Sequence, residues 1–198
     1  MKTGIFGGTF NPIHNGHVNL VDRISEKVSL DRILVIPTNI PPHKLTPDLA
    51  DDDARLEMCR LAFEDNPKAE ISDYEIIQGG KSYTILTLEH LKTIYPHDKF
   101  YLIIGSDMLL TFHEWKEYQK ILKLCTIVAA ARSKADIEKI KPYAQKLIAM
   151  GGKCIIVDVE PYEISSTKLR ELIVNNEQYT CYLPEKVVKY IASKKLYT

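Results

Sequence analysis

The strongest constraint on what this chain can fold into is the stretch Gly7-Gly8-Thr9-Phe10-Asn11-Pro12-Ile13-His14-Asn15-Gly16-His17. A short β-branched and aromatic run, Thr3 to Phe6, leads into it, and an apolar pattern of helical spacing leads out. His17, Leu20, Val21, Ile24 and Val28 fall at i, i+3, i+4, i+7 and i+11, as one face of an amphipathic helix requires. The expected order is strand, glycine turn, helix. Such a turn aims backbone N–H groups and the positive end of a helix dipole at one spot, which suits a phosphate. Gly7, Gly8 and Gly16 let the backbone approach a ligand because no Cβ stands in the way.

His14 and His17 are three apart at the helix start, so both project from one side. No Gly-Lys-Ser/Thr follows, which excludes a Walker loop, and the dinucleotide Gly-x-Gly-x-x-Gly pattern is also missing. Imidazole donors beside oriented amides fit the charge that builds on a phosphoryl group during transfer. A plainer arrangement, one histidine capping the helix and the other packed on the sheet, is the competing reading.

Strands then alternate with helices about six times, predicting an α/β fold: a single Rossmann-like, doubly wound parallel sheet with helices on both faces. The predicted strands are Thr3 to Phe6, Arg32 to Ile36, Ala69 to Ile77, Phe100 to Ile104, Thr126 to Ala131 and Cys154 to Val159. Helices are expected over Asp51 to Asp65, from Ser82 through Ile94, over Ala135 to Met150, and from Pro184 toward Tyr197. Phe100 to Ile104 is apolar without alternation, as a central parallel strand would be.

Several loops at the carboxyl ends of these strands carry polar side chains, where ligands gather in open α/β sheets. Asn39-Ile40-Pro41-Pro42-His43-Lys44 is a prolyl-stiffened loop, either a ligand loop or a surface turn. Ser82-Tyr83-Thr84 opens a helix, with Ser82 as a natural N-cap. Gly105-Ser106-Asp107 places a carboxylate after the central strand, within reach of a ribose hydroxyl or of a helix cap. Trp115, the only tryptophan, suits either a core or a stacking surface for a pyridine ring. In Ile164-Ser165-Ser166-Thr167-Lys168-Leu169-Arg170, hydroxyl caps are followed by Lys168 and Arg170 in the first turn, where cations oppose the dipole. Either those bases are solvated, or an anion docks at the turn and reverses the conflict.

Composition narrows the class. At 198 residues the chain has enough length for one well-buried core. Lys plus Arg and Asp plus Glu each number 26, so no global basic field points to nucleic acid. No apolar run is long enough to cross a bilayer and no signal-peptide pattern opens the chain. Cys59, Cys125, Cys154 and Cys181 lack metal-ligand spacing and read as buried, reduced thiols of a cytoplasmic protein. No carboxylate cage for a metal is evident, and a homo-oligomer is left open.

Gly-Gly-Thr-Phe-Asn-Pro-Ile-His-Asn-Gly-His resembles the signature of the nucleotidyltransferase superfamily whose short motif is His-x-Gly-His. Within it the chain is most similar to the bacterial nicotinate-nucleotide adenylyltransferases. That resemblance implies one nucleotidyltransferase domain over residues 1–198, with 164–198 completing an ATP site. It implies adenylyl transfer from ATP to nicotinate mononucleotide, giving deamido-NAD and pyrophosphate, with Mg2+ carried on the ATP phosphates. The catalytic residues would be His14, His17, Lys44 and Arg170. ATP would meet Gly7, Gly8, Thr9, Phe10, His14, His17, Gly105, Asp107, Ile164, Ser165, Ser166, Thr167 and Arg170. The acceptor would meet Asn39, Lys44, Ser82, Tyr83, Thr84, Trp115 and Arg132. Three positions depart from the family pattern: Leu86 where Asp is usual, and Ser133 and Lys134 where Pro and Gly are. Other phosphorylated acceptors, such as nicotinamide mononucleotide or pantetheine phosphate, and a nucleotide-binding module without catalysis remain the alternatives.

Overall fold

The computed structural model describes residues 1–41 and 49–198. Strands β1 (Lys2–Gly8), β2 (Arg32–Pro37), β3 (Ala69–Ile71), β4 (Lys99–Gly105), β5 (Cys125–Ala131) and β6 (Lys153–Asp158) form one sheet. Their order is β3-β2-β1-β4-β5-β6 and every pairing is parallel. The winding reverses between β1 and β4, so the carboxyl ends of these two strands flank the crevice where ligands bind in such sheets.

Neighbouring residues on each strand enter opposite cores, as a pleated strand buried on both faces demands. Phe6, Ile33, Val35, Ile103, Val128 and Ala130 face one core. There they meet helices α1 (Asn15–Val28), α2 (Asp52–Phe63), α8 (Ser166–Val174) and α9 (Glu185–Lys194). Ile5, Leu34, Ile36, Leu102, Ile104, Ile127 and Ala129 face the other. Helices α4 (Thr84–Ile94), α6 (Tyr118–Leu124) and α7 (Lys134–Ala149) cover that side. Two short helices complete the set, α3 (Tyr74–Gln78) and α5 (Ser106–Leu110).

The predicted strand over Ala69–Ile77 is a correction. Only Ala69–Ile71 pairs, as an edge strand on β2, and the Ser72 N–H gives the last bond, to the Val35 carbonyl. Asp73 then turns the chain into α3, which Gly79 closes at φ 70°. A weak alternation with one strand to pair against does not hold a longer strand. Ser82 is not the cap of α4: Tyr83 occupies that position and the Ser82 hydroxyl accepts the Asn39 N–H at 3.0 Å. Cysteine burial is also corrected. All four thiols are free, but Cys181 is exposed and Cys154 only partly covered. Among the described residues no helix is long and apolar enough to cross a membrane.

Candidate active site

Two cavities open at the carboxyl edge of the sheet, and Gly7 and Gly8 line both. The first, about 470 Å3, lies over the amino ends of α1 and α8. Phe10, His14, Gly16 and His17 enter it from the first motif, and Ile164, Ser165, Ser166 and Thr167 from the second. Gly105 and Asp107 come from the end of β4 and Arg132 from the end of β5. Segments some 150 residues apart in sequence thus share one wall, as the Ser166 hydroxyl, donating to the Pro12 carbonyl across 154 residues at 2.9 Å, makes concrete.

The local chemistry explains the placement. Gly16 is required by close approach: a Cβ there would stand 3.0 Å from His14 Nδ1. A Cβ on Gly8 would strike the Phe10 ring at 2.8 Å. Phe10 itself has φ 46°, uncommon for a bulky residue, and is held by burial and by the Phe6 ring at 5.3 Å. Ser165 caps α8, its hydroxyl accepting the Lys168 N–H at 3.1 Å.

The two imidazole rings lie with centroids 3.7 Å apart, tilted by 31°. The His14 N–H donates to His17 Nδ1 at 3.2 Å, so a neutral His17 carries its proton on Nε2 and keeps a donor. His14 Nδ1 is buried with no hydrogen-bond partner among the described residues. Burial first, and then the charge of Arg132, lower the pKa of His14 to about 4. His17 is held well below its ordinary value by burial, then by His14 and Arg132. Two neutral imidazoles, one arginine and two helix amino ends around a cavity make a setting suited to an anion.

The second cavity, about 430 Å3, has different walls. Leu102, Ile103, Ile104, Met108, Ile121 and Trp115 make it apolar, while Thr9, Ser82, Tyr83 and Thr84 bring polar atoms to one side. The Ser82 N–H donates to the Ile40 carbonyl at 2.9 Å and the Ile40 N–H to the Gly80 carbonyl, fixing the Ser-Tyr-Thr turn to the segment after β2. Lys116 sits 4.4 Å over the Tyr83 ring. Glu75 also lines this cavity; Thr87 donates to its Oε1, and burial raises its pKa.

Four of the expected residues are placed differently from expectation. Arg132 lines the histidine cavity rather than the apolar one, and Thr9 the reverse. Asn39 lines neither; its amide donates to Asp52 at 2.6 Å. Arg170 lies one turn inside α8, and its guanidinium donates to the Asn11 carbonyl at 2.8 Å rather than lining the first cavity. Lys168 turns outward to Glu171. Lys44 lies outside the described residues. Sequence reasoning missed Asn11, Arg55, Glu75 and Tyr197. Only Arg55 left a signal, a charge inside the buried stripe Ala54, Leu56, Met58 and Cys59.

The cytidylyltransferase-like family model matches residues 5–172. A probable nicotinate-nucleotide adenylyltransferase of Clostridium acetobutylicum is 38% identical over 199 residues, covering 99% of this chain and 98% of its own. That of Geotalea daltonii is 37% identical, with 100% and 98% covered. Among solved structures, the Plasmodium falciparum nicotinic acid mononucleotide adenylyltransferase complexed with NaAD superposes with a TM-score of 0.79. The two chains are 20% identical, with 100% of this chain and 98% of that one covered. The same enzyme complexed with APC gives 0.78, over 99% and 96%. With the signature turn, the paired imidazoles and the second helix end meeting at one crevice, this chain belongs to the cytidylyltransferase-like family and, within it, to the nicotinate-nucleotide adenylyltransferases.

Proposed function

We propose that this enzyme transfers the adenylyl group of ATP to nicotinate mononucleotide, forming deamido-NAD and releasing pyrophosphate. The observation that carries the reading is the pair of cavities joined at Gly7 and Gly8, one lined for anionic phosphates and the other for a flat ring. The triphosphate occupies the histidine cavity, and the pyridine ring lies in the apolar one against Trp115. The Ser82–Thr84 turn, at the amino end of α4, receives the carboxylate, which a helix N-terminus prefers to a neutral amide.

The acceptor's phosphate is already ionised at neutral pH, so its oxygen attacks the α-phosphorus without a general base. The bond to the bridging oxygen breaks in line, and pyrophosphate departs with the electron pair. No covalent enzyme intermediate forms. The chain supplies alignment and charge neutralisation. His14 and His17 donate to the oxygens around the α-phosphorus, and Arg132, with the hydroxyls and amides of Ser165–Thr167, takes up charge on the departing phosphates. Arg170 and Lys44 complete the set assigned to the triphosphate, Arg170 through the turn it holds. Mg2+ would ride on the triphosphate and spread its charge. Among the described residues no three His, Cys, Asp or Glu side chains gather as a protein-held ion needs, while Asp107 and Glu160 reach the cavity as single carboxylates.

Residues 1–198 act as one unit in this reading, with 164–198 completing the ATP site, a role supported by the bonds from Ser166 and Arg170 to the first motif. The location is cytoplasmic, in keeping with four free thiols. The test is pyrophosphate release with ATP and either nicotinate or nicotinamide mononucleotide. Turnover favouring nicotinate by about 10-fold or more is expected from the charge preference of a helix end; equal turnover would overturn the acceptor assignment.

A further inference from the structure

The turn that delivers the histidines is held from outside the cavity, and one of the holders is the end of the chain. We propose that Tyr197 is a positioning residue for adenylyl transfer, setting the Thr9–His14 turn through Asn11; this rests on the function proposed above. The Tyr197 hydroxyl donates to Asn11 Oδ1 at 2.8 Å across 186 residues. The same oxygen accepts the Ala50 N–H at 3.1 Å, so the Asn11 side chain is gripped from two directions. The Asn11 carbonyl takes Arg170, the Pro12 carbonyl takes Ser166, and the Thr9 carbonyl takes Arg55 at 2.8 Å. Every peptide carbonyl from Thr9 to Pro12 except that of Phe10 is therefore bonded to a side chain from a distant element.

Phe10 sits in this turn at φ 46°, a conformation that persists in a bulky residue only when its surroundings impose it. Tyr197 is itself specially placed. After α9, Lys195 at φ 51° and Tyr197 at φ 65° fold the tail back so that the ring packs on the core beside the turn. Burial pushes its hydroxyl pKa up, so the group stays a donor at all working pH values. Two residues separate Asn11 from His14, whose N–H orients His17. A displacement of the turn reaches both imidazoles, and a shift of about 1 Å at a reacting centre costs on the order of 10²-fold in rate.

The experiment compares the wild type, Tyr197→Phe, Asn11→Ala and the double variant in the pyrophosphate-release assay. Tyr197→Phe keeps the ring, so its thermal midpoint should move by no more than about 4 °C. Its kcat should fall about 10-fold with both KM values within about 2-fold, because binding groups stay while the reacting geometry loosens. The double variant should be no slower than Asn11→Ala alone, since the hydroxyl acts through that amide. Wild-type kcat in Tyr197→Phe would overturn the proposal, and so would losses that add in the double variant. So would a kcat loss matched by lost folded protein. A wild type that releases no pyrophosphate overturns the function itself, a result separable from an active wild type with an equally active Tyr197→Phe.

Discussion

The two cavities share a floor at Gly7–Gly8 and differ in almost everything else. The histidine cavity is walled by two helix amino ends, two neutral imidazoles and Arg132. The apolar cavity is walled by Leu102, Ile104, Met108 and Trp115, with one polar side at Ser82–Thr84. One side presents imidazoles, an arginine and helix-end amides beside the carboxylates of Asp107 and Glu160; the other presents apolar walls and a single carboxyl, Glu75, whose pKa burial raises. Charge that develops during reaction belongs in the first, where fixed dipoles act without reorganising. Shape selection belongs in the second, where removing apolar surface from water discriminates by size and polarity. On the function proposed above, the difference is a division of labour: one half of the crevice would govern rate and the other choice of acceptor.

The division predicts that damage to the two halves will separate kinetically. His17→Ala should lower kcat by about 10²–10³-fold, the usual loss on removing one donor to a developing oxyanion, with both KM values little changed. Steady-state kinetics check it, and near-full turnover would remove the histidines from the mechanism.

The next effect is on stability. His14 is neutral in the folded protein, with a pKa of about 4 against 6.5 when exposed. Between these values the unfolded chain binds more protons than the folded one, so the stability that a neutral His14 contributes is complete above 6.5. It is lost as pH falls toward 4, and amounts to about 3 kcal/mol. Urea unfolding of the wild type and of His14→Asn at pH 7.5 and 4 should show the variant losing less on acidification. The same slope in both would place the acid-sensitive group elsewhere. A bound triphosphate should oppose this loss, because an anion favours the protonated ring.

Trp115→Ala should have the smallest effect. Loss of a stacking face is expected to raise the acceptor's KM about 10-fold and to leave that of ATP unchanged. Equal changes in both would mean that the tryptophan supports the whole crevice rather than one half of it.

Much of this arrangement is visible in the sequence because it is local. The glycine turn, the i, i+3 histidines, the hydroxyl caps of α8 and the unbroken apolar run of β4 are patterns over a few residues. Such patterns report backbone geometry directly. The failures are also physical. Ala69–Ile77 alternates like a strand, but an edge position offers one partner and β2 pairs with only its first three residues. Ser82 has the chemistry of a helix cap, yet the neighbouring Asn39 N–H claims its hydroxyl. Arg170 has the look of a phosphate ligand, and the carbonyl of Asn11 competes for it.

The sequence by itself determined the order of the six strands and of the long helices between them, and the family signature. Periodicity, turn chemistry and residue type each act over one element and need no knowledge of the rest. The tertiary structure alone decided that Arg132 joins the histidines, that Thr9 turns toward the apolar cavity, and that Tyr197 reaches Asn11. Those outcomes depend on which distant groups compete for the same hydrogen bond or the same volume, and no window of neighbouring residues contains both competitors.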